Sequence, residues 1–159
     1  MDATARYQYT NVVLAALALA HALLTWPLRA TLALAVGGAL VAFVAEFAVI
    51  ELGMLEHAMA PKIAGVPVAV VLVWPAIVYI SLQFALLVTA PGVTAALLAA
   101  ALGTAFDVLT DPQGVAEGVW SYPEHPLSRP RFFDVPLWNF VGWFVIVAGS
   151  AMIPISVGL

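Results

Sequence analysis

Two aspartates one helical turn apart, Asp107 and Asp111, close an apolar run in a chain that carries few charges. The i, i+4 spacing puts both carboxylates on one face of a helix end. Like charges held that close repel, so either a cation lies between them or one carboxyl keeps its proton. Glu46 lies about one and a half turns inside another apolar run, where an ionisable group is expensive and marks function when it faces the bundle interior. Glu51 is nearer the edge of the same run. Glu46 and Glu51 do not share a helix face, so any partner comes from another helix. A neutral carboxylic acid beside a carboxylate is the equipment of proton transfer. Trp120, Tyr122 and His125 follow in a proline-studded loop, and Asn139, Gly142 and Trp143 share one face of the next run. Asn139, about one turn in, is placed to hydrogen-bond across to either aspartate.

Each residue also has a plainer reading. Glu46 and Glu51 can snorkel to the interface, and Asp111 can be a turn residue before Pro112. Asn139 can be a helix-packing amide. Trp120, Tyr122, Trp138 and Trp143 can form an interfacial aromatic belt, the safer reading for Trp138. Gly142, Gly149 and Ser150 read as small residues for close helix packing. His21, at the far end with no acidic neighbour, reads as structural. His57 and His125 read as loop histidines, because a metal site needs more ligands at defined spacing than the chain offers.

The elements that must hold these residues are transmembrane helices. The chain has 159 residues, 64% hydrophobic and 9% charged, with a mean hydropathy of +1.07. A soluble domain carries roughly a quarter charged residues, so this is an integral membrane protein with one compact transmembrane domain. The absence of cysteine excludes disulfides and thiol chemistry. The opening MDATARYQYT lacks a basic region and a cleavage site, which predicts a retained first helix rather than a signal peptide. Five apolar runs approach the ~20 residues that cross a hydrocarbon core: 9–26, 30–52, 65–89, 93–110 and 136–157. Pro75 is expected to kink the third. Asp111-Pro112 is expected to end the fourth, leaving a loop over 111–135, and no internal repeat is expected. The expected fold is all-α, a polytopic bundle of about five helices.

Five spans put the termini on opposite sides. Arg6, Lys62, Arg129 and Arg131 fall on the side of the N-terminus and Arg29 on the other, which places the N-terminus and the 111–135 loop in the cytoplasm of a cell-membrane protein. The acidic residues all gather at that same end, and the opposite face reads as nearly featureless.

The pattern resembles the membrane-bound carotenoid biosynthesis family of the CruF type, which includes the bisanhydrobacterioruberin and γ-carotene hydratases. The likeness rests on Glu46 and Glu51-Leu52-Gly53, on Pro61 followed by Ile63-Ala-Gly-Val-Pro67, and on Trp74. It continues through Asp107 with Asp111-Pro112, Gly118-Val-Trp120 and Phe133-Asp-Val-Pro-Leu-Trp-Asn139-Phe-Val-Gly142-Trp143. It departs from longer members in its fewer spans and in the shortened stretch Met54-Leu-Glu-His-Ala58. The resemblance implies a hydrophobic polyene substrate in the bilayer, other carotenoid-pathway membrane enzymes as partners, and hydration of the terminal double bond of an acyclic carotenoid. That reaction protonates the less substituted carbon and captures the tertiary cation with water. It needs a protonated carboxylic acid, a base for the water and aromatic faces near the cation. Asp107 fits the acid, with Glu46 as the alternative, and Asp111 or Glu51 fits the base. Trp120 and Trp143 would face the cation, with Trp74, Tyr122 and Asn139 completing the substrate site. No cofactor, metal or nucleic acid is expected.

Two other readings stay open. Paired aspartates also occur in Mg²⁺-diphosphate sites of membrane prenyltransferases, which need a second acidic cluster and basic phosphate contacts. A small non-catalytic subunit that binds carotenoid or braces partner enzymes fits the short chain. For the orientation, cysteines introduced at Ser121 and at Gly92 should be labelled from opposite faces of sealed vesicles. Labelling of both from the same side rules out the five-span topology.

Overall fold

The computed structural model describes residues 1–159 and is an all-α bundle of five helices long and apolar enough to cross a membrane. They are α1 (Ala3–Thr25), α2 (Leu28–Glu51), α3 (Val68–Leu86), α4 (Val93–Ala116) and α5 (Leu137–Ser156). Leucines and valines such as Leu17, Leu24, Val36, Leu40, Leu87 and Val145 stay exposed on the outer surface, as lipid-facing side chains must. Three of the expected boundaries move for identifiable reasons. The first helix starts well before Tyr9, because the Asp2 carboxylate caps it by accepting from the Ala5 N–H at 2.7 Å. The third starts later, because Val66 and Pro67 belong to a hairpin.

The fourth span does not end at Asp111-Pro112. It continues to Ala116, with Pro112 inside it. A proline this near a helix C-terminus removes one N–H bond and leaves the last turn intact. Asp111 is therefore not a turn residue but a buried position on the inner face of α4.

α2 carries a π-helical turn at Leu34–Gly38. Gly38 faces Pro75 of α3, where a Cβ would reach the proline ring at ordinary contact distance, 3.6 Å, and press on Leu34 at 3.2 Å. Four helices form a ring in the order α2, α3, α4, α5, and α1 packs outside it along α3. α3, touched on several sides, is the most buried helix.

Contrary to the expectation that repeats are absent, the ring is built from two copies of one unit: helix, short loop, β-hairpin, helix. α2 leads to the hairpin β2 (Lys62–Ile63) and β3 (Val66–Pro67) and then α3. α4 leads to β5 (Arg131–Phe132) and β6 (Val135–Pro136) and then α5. Both hairpins turn through two residues at positive φ, Ala64 and Gly65 in one and Phe133 and Asp134 in the other, the geometry of a tight type I′ turn. In both, a proline carbonyl before the hairpin takes the first helical N–H: Pro61 from Val68 and Pro130 from Leu137, each at 3.0 Å. Both leading helices end alike, with Gly53 and Gly118 at positive φ closing the last turn.

The buried faces repeat too, at one constant spacing along α2 and α4. Ala30 matches Ala95, Thr31 Ala96, Leu34 Ala99, Gly38 Gly103, and Ala42 Asp107. Along α3 and α5, Val70 matches Asn139, Val78 Val147, Ser81 Ser150, and Leu82 Ala151. The loops meet as well. β1 (Glu56–His57) pairs antiparallel with β4 (Trp120–Ser121), with Glu56 opposite Ser121. That is the register a twofold axis between the units would impose, since Glu56 and Ser121 are equivalent in the repeat.

The sequence does carry the repetition, in Gly53 and Gly118, Pro61 and Pro130, Val66-Pro67 and Val135-Pro136, and Trp74 and Trp143. It escaped notice because the identical residues are scattered and the two loops between them differ in length.

The glycines divide differently from expectation. Gly142 and Gly149 have open space where a Cβ would go, so neither is a close-packing site. Gly103 and Gly114 are. A Cβ on Gly103 would meet Val147 at 3.1 Å, and one on Gly114 would overlap the Trp120 indole. Gly114→Ala should therefore destabilise the detergent-solubilised protein by about 1–3 kcal/mol and change its tryptophan emission. Gly142→Ala should leave stability unchanged or slightly raised, because alanine is the better helix former. Equal thermal stability of the two variants would contradict this packing.

Candidate active site

The two units meet around a cavity of about 260 Å³ at the acidic end of the bundle, lined from all five helices and the loops between them. Of the residues singled out above, it brings together Glu46, Asp107, Asp111, Trp74, Trp120, Tyr122, Asn139 and Trp143. Glu51 is not among them. It stands exposed at the end of α2, because it lies five residues beyond Glu46 and so turns to a different face.

Each unit contributes an acid from its first helix and a partner from its loop. In the second unit, Asp111 accepts a hydrogen bond from the Tyr122 hydroxyl at 2.7 Å. In the first, Glu46 is paired with His57 Nε2 at 3.1 Å. Glu46 matches Asp111 and His57 matches Tyr122 in the repeat. Reading His57 as an ordinary loop histidine was therefore mistaken: its side chain is 5% exposed. The signal was present, since His57 follows Gly53 at the spacing at which Tyr122 follows Gly118. It needed the repeat to become visible.

Asn139 binds the aspartate pair together. Its Nδ2 donates to Asp107 Oδ2 at 2.9 Å and to Asp111 Oδ2 at 3.0 Å. All three are buried, Asp107 at 2% and Asp111 at 4% exposed. The position of Asn139 one turn into α5 follows from Pro136, which caps that helix. The two carboxyl groups thus share an amide that donates to each, instead of facing each other bare.

Tyr122 completes the group from the loop. Burial, followed by the Asp111 charge and the hydrogen bond to it, pushes its phenol well above the usual tyrosine range. It therefore remains a donor at any ordinary pH. Trp138 packs against it edge-on at 5.9 Å, so Trp138 supports the site.

The aromatic residues form the walls. Trp74 and Trp143, equivalent in the repeat, stack at 4.1 Å between centroids across the axis. The Trp74 indole N–H donates to Glu46 Oε1 at 3.1 Å. Trp120 packs edge-on against Tyr7 of α1 at 5.2 Å. An ion pair between Arg6 and Glu117 ties α1 to the end of α4 beside it. The cavity therefore offers two acid centres, flat π-faces and apolar side chains such as Val70, Val73 and Ile77.

The opposite end of the bundle is less featureless than its sequence indicates. Tyr79 gathers His21, Thr25 and Gln83 by hydrogen bonds of 2.5, 3.0 and 2.9 Å. His21 has a structural place there, tying α1 to α3.

No curated protein and no solved structure matched this chain. A family model described as "Carotenoid biosynthesis protein" matches residues 7–157, a stretch that holds every helix of the ring and every side chain of the cavity. The chain is a multi-pass membrane protein and belongs to the carotenoid biosynthesis protein family.

Proposed function

We propose that this protein hydrates the terminal double bond of an acyclic carotenoid, with the acidic end of the bundle facing the cytoplasm. The observation that carries the reading is the Asp107–Asn139–Asp111–Tyr122 group, buried among apolar walls and tryptophan faces. A polyene end group has no polar handle. What the reaction asks for is a proton delivered in a dry place, a water, and a surface that tolerates positive charge.

The roles divide by surroundings. Asp111 Oδ2 has two donors, Tyr122 and Asn139, which suits an anion that holds and orients water. Asp107 has the single donor Asn139 and serves as the acid that protonates the less substituted carbon. The tertiary cation then lies against Trp143 and Trp120, whose faces carry negative electrostatic potential. Water adds to it and forms the tertiary alcohol. Orientation rests on the four-to-one excess of Lys and Arg at this end.

A non-catalytic carotenoid-binding or scaffolding role is the second reading, supported by a cavity that has the lining to hold a polyene terminus. Substitution separates the two. Asp107→Asn keeps shape and hydrogen bonding but removes the acid. It should lower hydration by about 10²–10⁴-fold, with carotenoid binding and membrane insertion intact. Asp111→Asn should lower it less, because an orienting group is partly replaceable. The comparison is made at matched expression in cells that accumulate the acyclic precursor, reading the hydrated product. Near-normal turnover in Asp107→Asn transfers the acid role to Glu46; near-normal turnover in Glu46→Gln as well defeats the hydratase reading.

A further inference from the structure

The hydratase reading uses one half of the cavity and leaves an equally elaborate half idle. Glu46 is almost wholly enclosed, its side chain 12% exposed. One oxygen accepts from the Trp74 indole at 3.1 Å and the other meets His57 Nε2 at 3.1 Å. The second ring nitrogen of His57, Nδ1, is buried and has no protein partner. A buried imidazole held by a carboxylate through one nitrogen, with the other left free, is costly if it serves only to pack. It is also the arrangement in which a carboxylate orients an imidazole and stabilises it once it is protonated.

The repeat sharpens the contrast. At equivalent positions, one unit places Asp111 with Tyr122 and the other places Glu46 with His57. Tyr122 only donates in the ordinary pH range, since burial and Asp111 hold its phenol neutral. An imidazole, unlike a phenol, can take up a proton near neutrality. The position matching Asp107 on the first unit is Ala42. That half therefore lacks the second acid of its counterpart.

Resting on the hydratase reading, we propose that the Glu46–His57 pair is the proton acceptor of the reaction, taking the proton released when water adds to the carotenoid cation. The two halves of the repeat then have opposite tasks at one cavity. Asp107 gives its proton to the terminal carbon and becomes a carboxylate. The water oxygen bonds to the tertiary cation, and one of its protons passes to the Glu46–His57 pair. The substrate has gained H and OH. The proton on the pair balances the one Asp107 gave up, so no net acid is consumed. No oxidant, reductant or metal enters the balance.

Deuterium exchange separates the two half-reactions. The full chain in lipid nanodiscs is incubated with lycopene, an acyclic carotenoid, in D₂O. Hydrated product and deuterium in the recovered alkene are both read by mass spectrometry. Exchange without hydration means that the cation forms and collapses back before water is deprotonated. His57→Gln keeps an N–H donor for Glu46 but has no basic nitrogen, and Glu46→Gln keeps an acceptor for Trp74 but loses the charge.

Both variants should lose hydration by about 10²–10⁴-fold while still exchanging deuterium into the alkene, and Asp107→Asn should lose both. Hydration at the wild-type rate in either variant overturns the proposal. So does loss of exchange in both, which would make the pair part of the acid or of the scaffold. A wild-type protein that neither hydrates nor exchanges is a separate outcome: it removes the hydratase reading itself.

Discussion

The aspartate side of the cavity depends on one amide. Asn139 stands between two buried carboxyl groups and offers each a hydrogen bond from the same nitrogen. Without it, Asp107 and Asp111 would face each other one helical turn apart in an apolar interior, where unpaired polar groups cost several kcal/mol each. Satisfying them from α5 fixes how α4 and α5 meet, and the small Gly103 beneath Val147 lets the helices approach closely enough for the bonds to form. Tyr122 then adds a third hydrogen bond from the loop and pins the chain that crosses the mouth of the cavity. The same contacts that make the acids tolerable also aim them into a shared space.

The duplicated architecture explains why such a short chain can enclose a site. Two copies of a helix–hairpin–helix unit, facing each other, place equivalent residues on opposite sides of one cavity. The Trp74–Trp143 stack sits where the units touch, and the β1–β4 pair ties their loops together. Symmetry of the scaffold did not require symmetry of the chemistry. Aspartate with tyrosine on one side and glutamate with histidine on the other give the cavity two different ends. α1 stands outside the repeat and closes its flank, held by the Tyr7–Trp120 contact and the Arg6–Glu117 ion pair.

Composition and run length made the five spans legible, because hydrocarbon imposes a length and an apolarity that few other environments demand. The site was legible in part. Asp107, Asn139 and Glu46 stand out because polar groups inside apolar runs are conspicuous, and the i, i+4 spacing places Asp111 beside Asp107 once the helix continues. The helix does continue past Pro112, which a local reading treats as a stop. Proline's penalty falls mainly on the preceding turn, and here α5 and the loop hold that turn in place. His57 was legible only through the repeat, because its burial is created by a strand pair between distant loops. Gly142 misled for the converse reason: a small residue on the right face of a helix implies close packing only if a neighbour is there. The hairpins were hidden by their brevity, two residues per strand.

The proposed reaction adds water to a polyene at this cavity. The most direct measurement uses the purified chain alone, reconstituted in lipid nanodiscs with lycopene in water enriched in oxygen-18. The expected product is an alcohol carrying the heavy oxygen on the tertiary carbon of the terminal unit, formed without added cofactor. Recovery of unaltered lycopene from protein that demonstrably binds it, seen as a shifted polyene absorbance, would rule out hydration at this site. The cavity would then be a holding site rather than a reaction chamber.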